Sequence, residues 1–125
     1  MTTNDITLAK QQLATALIAT GLDVQAFIPD RITPPIVIIN AGSPLLTPMS
    51  LGTEYYLNLQ IVLVASTSMN KDSTEELDAL ICSFLNAIEN LHYVALSSVD
   101  SPYTLATGAA EYLAANANIQ LSITL

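Results

Sequence analysis

Positive charge is scarce in this 125-residue chain: Lys and Arg total 3 against 11 Asp and Glu, for a formal net charge of -8. Three cations cannot neutralise a row of phosphates, which disfavours a groove-reading nucleic-acid binder. One His and one Cys leave no residue set for a zinc site, a disulfide framework or a Cys-His nucleophile. Cys82 standing alone also rules out an intramolecular disulfide and fits a reducing compartment. Long apolar runs are missing too: polar residues or Pro interrupt each one well short of the roughly 18 residues that a membrane span requires. The start, Met-Thr-Thr-Asn-Asp, has neither a basic n-region nor an apolar h-region, so no signal peptide is expected. Against these absences stands a hydrophobic content of 51% with only 11% charged residues. That is too apolar for an acidic disordered tail and enough for the core of one domain. A small domain with so little charge is expected to cover part of its surface with other subunits.

Periodicity divides the chain into alternating elements. Asp5 to Thr20, with Leu8, Leu13, Leu17 and Ile18 and then Gly21 at the position of a helix C′ residue, reads as an N-terminal helix. A Pro-rich loop (Pro29, Pro34, Pro35) leads to the β-branched run Ile36-Val37-Ile38-Ile39, read as a buried strand. Residues Ala41 to Leu51, with Gly42, Pro44 and Pro48, have loop composition and form a candidate mobile arm. From Thr53 to Ser66 the period becomes two, so Tyr55, Leu57, Leu59, Ile61, Leu63 and Ala65 share one face of a long strand. Ser73-Thr74-Glu75-Glu76 reads as a capping box opening a second helix. The stripe Leu77, Leu80, Ile81, Phe84, Leu85 and Ile88 that follows packs one helical face onto a sheet. Tyr93 to Val99 has strand composition, and Asp100-Ser101-Pro102 turns the chain. A second long strand ends it, with Leu113, Ala115, Ala117, Ile119, Leu121, Ile123 and Leu125 toward the core. The fold class expected is α+β: a mostly antiparallel (mixed) β-sheet with two long strands and helices packed on one face.

Convergent chemistry is hard to find. His92 reads as a helix-end or surface His, and no Ser or Cys sits in a nucleophile-elbow context, so no catalytic residue is assigned. Asp72, Glu75, Glu76 and Asp78 lack the Gly-containing Asx-rich loop of a calcium site, and their place at a helix start suits the helix dipole. Gly42-Ser43 and Gly52-Thr53 complete no phosphate-binding motif. No metal or cofactor is expected, and the chain does not read as an enzyme. Two features point to contact surfaces instead. One ring of the pair Tyr55-Tyr56 must point outward, either packing across strands or anchoring an interface. If the two long strands are neighbours, Asn58, Gln60, Asn116, Asn118 and Gln120 form an uncharged amide face. Such a face is either an ordinary exposed one or a surface that meets protein without burying charge.

The segment Phe27-Ile28-Pro29-Asp30-Arg31-Ile32-Thr33-Pro34-Pro35-Ile36-Val37-Ile38, preceded by a short helix and a Gly, resembles the aromatic-x-Pro-Asp-x-x-x-Pro-Pro-apolar segment of siphophage tail terminator (tail completion) proteins. A Pro/Gly-rich loop, the strand Glu54 to Val64, the helix from Thr74 and the run Gly108-Ala109-Ala110-Glu111-Tyr112-Leu113 before a final alternating strand follow in that family's order. The resemblance spans almost the whole chain through short motifs. It implies one tail-terminator-like domain over residues 1–125 in a virion structural protein. Such a protein assembles in the host cytoplasm as a ring, six copies being the expected number, on the head-proximal end of the tail tube. The ring would stop tube polymerisation and join a head-completion or connector protein, with DNA passing through unbound. The loop Gly42, Ser43, Pro44, Leu45, Leu46, Thr47 and Pro48 is then a candidate for docking on the tube. Members of the family are typically richer in Arg and in charge than this chain. The alternatives are a small oligomeric protein-binding adaptor, or a related neck or head-completion protein.

Overall fold

The computed structural model of the chain describes residues 5–25, 35–48, 54–66, 71–91, 94–107 and 110–124. Two helices, α1 (Asp5–Ile18) and α2 (Lys71–Glu89), accompany six strands: β1 (Val24–Gln25), β2 (Ile36–Pro48), β3 (Glu54–Ser66), β4 (Val94–Val99), β5 (Tyr103–Thr107) and β6 (Ala110–Thr124). The sheet order is β1-β2-β3-β6-β4, and β5 pairs with the other end of the β6 edge that β4 occupies. Among the described residues only β1 and β2 run parallel, and the other pairings are antiparallel. This is the α+β fold with a mostly antiparallel sheet that the residue pattern implies.

The helices share one face of the sheet because both long period-two segments place their apolar residues there. Leu57, Leu59, Ile61 and Leu63 of β3 and Ala115, Ala117, Ile119 and Leu121 of β6 form one core with Leu77, Leu80, Phe84 and Ile88 of α2. From α1, Ala9, Leu13, Ala14 and Leu17 join the same core, whereas Leu8 and Ile18 remain exposed. α1 stops where Gly21, at φ 96°, takes the left-handed conformation and donates its N–H to Ile18 O at 3.0 Å. A smaller apolar cluster lies on the opposite face: Ile36, Ile38, Val62, Val64, Tyr112 and Ala114, with Tyr103 and Leu105 packed against it.

Three expectations change. Residues 41–48 are not a loop, since β2 continues to Pro48 and Leu46, Thr47 and Pro48 pair with Leu57, Tyr56 and Tyr55, while 49–51 lie outside the described residues. The reason is packing: Leu45 and Leu46 rest against the helix-side core, which a free arm would leave exposed. Helix α2 begins at Lys71, so Ser73 lies inside the first turn and is not the N-cap of a capping box. First-turn N–H groups need no intrahelical acceptor, which lets Asp72, Ser73 and Thr74 occupy it at little cost. Finally, β5 is a strand that composition did not announce, and β2 makes a third long strand beside β3 and β6. His92, Tyr93, the Gly108-Ala109 pair and the Phe27–Pro34 part of the family-like motif lie outside the described residues.

Candidate functional site: an amide-floored cleft

Strands β3 and β6 pair along nearly their whole length, with Asn58 opposite Gln120, Gln60 opposite Asn118 and Val62 opposite Asn116. Alternation along each strand therefore places Asn58, Gln60, Asn116, Asn118 and Gln120 together on the face away from the helices, all half-buried. Asn40 of β2 extends the row beside Gln60. Tyr56 shares this face and is 38% exposed. Tyr55 belongs to the helix-bearing face, half-buried and paired with Pro48 and Ile123, so the structure separates it from the amides.

The strands on either side are interrupted next to the amides. In β2, Gly42, Ser43, Pro44 and Leu45 stand opposite the single residue Asn58, between the pairs Ala41–Leu59 and Leu46–Leu57. The sequence accounts for this bulge. A Cβ on Gly42 would lie 2.7 Å from Asn58 O, so only glycine permits the approach of the two backbones. Pro44 has no N–H to lose from the ladder. In β4, Ser97 is the extra residue between the pairs Leu96–Ile119 and Ser98–Asn118. Between the two bulges lies a cleft of about 280 Å³ with Asn58, Asn118 and Gln120 at its floor and Gly42, Pro44, Thr47 and Ser97 at its rims.

Hydrogen bonds orient the floor. Asn58 Nδ2 donates to Pro44 O at 3.0 Å and to Thr47 Oγ1 at 2.8 Å, which ties β3 to the bulge. Asn118 Nδ2 donates to Ser98 Oγ at 3.0 Å and to Asp100 Oδ2 at 3.2 Å. A backbone carbonyl and a carboxylate only accept, so chemistry alone fixes which end of each amide faces them. Tyr103 donates its hydroxyl to Asn116 Oδ1 at 2.9 Å. Burial pushes the Tyr103 phenol above its ordinary 10.0, and the Asn116 side chain offsets part of that rise. Gln60 and Gln120 have no side-chain partner of this kind among the described residues.

The sequence pattern identified the amides but missed Ser97 at the second rim and Ser98 and Asp100, which hold the Asn118 side chain. Gly42, three residues past the β-branched run Ile36 to Ile39, was the available signal for the β2 bulge. Across the six strands only Glu54 and Glu111 are charged. The acids Glu75, Glu76, Asp78 and Glu89 stand exposed on α2, and no group of three or more His, Cys, Asp and Glu side chains could hold a metal among the described residues. A second, apolar cavity of about 300 Å³ lies between the end of α2 and β4, lined by Leu85, Ile88, Glu89, Leu91, Val94 and Leu96. No helix among the described residues is long and apolar enough to cross a membrane. Compared with known protein families the chain matches none, and a search of curated proteins returns no match.

Proposed function

We propose that this chain is a structural subunit of a phage tail terminator ring that caps the tail tube and offers its other side to a head-completion protein. The observation that carries this reading is the near absence of charge from the sheet. A well-solvated surface is about 25–35% Lys, Arg, Glu and Asp, yet the face away from the helices presents amides and an exposed Tyr56. Such a surface is suited to meet protein, because neutral amides can be desolvated and re-paired without the cost of burying charge. A head-to-tail contact between unlike surfaces closes into a ring when the rotation permits. On this reading the β2 bulge, tied to the sheet through Asn58, is a fixed ridge for docking on the tube. The scarcity of cations leaves passing DNA without phosphate contacts.

A second reading, a protein-binding adaptor, is favoured by β4. This edge strand of six residues carries neither charge nor Pro, two of the devices that block pairing with another strand, and its bulge at Ser97 leaves Val94 to Leu96 in regular register. The full chain is tested by measuring its mass over a range of concentrations, alone and with tail-tube protein. A closed assembly, and tubes of fixed length in its presence, support the ring. A single copy that leaves tube growth unchanged overturns it.

A further inference from the structure

The cleft beside the β2 bulge has a hydrogen-bonding polarity. Both N–H hydrogens of Asn58 are committed to Pro44 and Thr47, and both of Asn118 to Ser98 and Asp100. Each amide therefore has only its Oδ1 to offer a ligand. Gln120 sits directly across from Asn58 and two residues along β6 from Asn118, so the three Cβ atoms fall within about 8 Å of one another. Two of the three floor amides thus turn acceptors alone to the cleft, the untied Gln120 can present its Oε1 beside them, and the Asp100 carboxylate is held one hydrogen bond away through Asn118. The complement of this floor is a planar cluster of N–H donors carrying positive charge.

We propose that this cleft receives an arginine side chain from a partner protein. The guanidinium presents five donors and no acceptor, in a flat fork that several carbonyl oxygens can share. Charge complementarity favours a separate protein as its source: this chain has a net charge of -8 and only 3 Lys and Arg. An acidic subunit that selects cationic partners also gains from long-range steering. The proposal rests on reading the amide face as a protein-contact surface and names the chemistry of the partner.

The test uses the full ¹⁵N-labelled chain with N-acetyl-arginine methylamide as the probe and the isosteric citrulline compound as its neutral counterpart. The side-chain amide signals of Asn58, Asn118 and Gln120 should move and saturate. The arginine compound should bind about fivefold or more tightly than the citrulline compound, since hydrogen bonds to an ionised donor are the stronger ones. Asp100→Asn keeps an acceptor for Asn118 while removing the charge, and should bring arginine binding down to the citrulline level. Gln120→Ala, which breaks no intrachain tie, should weaken the binding of both probes. The proposal is overturned by unmoved amide signals at tens of millimolar probe, by equal binding of the two compounds, or by an Asp100→Asn chain that binds arginine as before. A chain that assembles on tubes but ignores arginine defeats this inference and leaves the ring reading standing. One that binds arginine yet stays single and leaves tubes uncapped defeats the ring reading alone.

Discussion

On the face of the sheet that carries the helices, Leu57, Leu59, Ile61 and Ile119 are sealed beneath Leu77, Leu80, Phe84 and Ile88, and the charge is displaced outward to Glu75, Glu76, Asp78 and Glu89 of α2. The other face has an apolar patch around Ile38, Val62 and Tyr112 that passes into half-buried amides and an exposed Tyr56, with no charged residue between Tyr56 and Val64 on β3 or beyond Glu111 on β6. The same two strands build both faces, so alternation alone produces the difference. One face gains its stability by burial. The other buries a smaller apolar cluster and carries neutral hydrogen-bonding groups beside it.

That contrast can be broken from either side. The largest effect is expected from Phe84→Ala, which empties a fully buried site in the helix-side core and should cost about 3–5 kcal/mol in chemical denaturation. Gly42→Ala comes next: its Cβ must displace the Asn58 backbone, with an expected loss of about 1–3 kcal/mol and shifted amide signals on both sides of the bulge. Tyr103→Phe removes the bond to Asn116 and should cost about 0.5–1.5 kcal/mol at neutral pH. Because the folded Tyr103 pKa lies above 10.0, the unfolded chain ionises this group first as the pH rises. Stability from keeping the phenol protonated is present below pH 10 and lost as the pH climbs through the folded value, so the gap between wild type and Tyr103→Phe should shrink there. The smallest stability change, within about 0.5 kcal/mol, is expected for Gln60→Lys on the amide face. It is the most informative for function, because a charge placed there should prevent assembly without unfolding the subunit.

Much of this arrangement was legible in the residue pattern, for reasons that differ between elements. The α2 stripe and the alternation of β3 and β6 are signals repeated over many residues, and each has one apolar face that only a core can satisfy. Neighbouring positions for β3 and β6 were needed to make the amide face, and the register provides them. The β2 extension was hidden because Gly42, Pro44 and Pro48 are loop residues by propensity. The long-range packing of Leu45 and Leu46, with the tie from Asn58, overrides that preference. Deleting residues 43–48 would thus remove strand pairs and not a detachable arm. β5 is five residues long and gains its place from pairing with β6, which no local pattern records. Asp100 lies in a turn, and its bond to Asn118 spans 18 residues.

The central claim, that the charge-poor amide face is a surface for protein, is tested most directly by sedimentation of the full chain and of Gln60→Lys, each with tail-tube protein. The account predicts that the wild type forms a closed assembly on the tube, while Gln60→Lys, equally stable to denaturant, sediments as a single copy. Identical sedimentation of the two chains would contradict it.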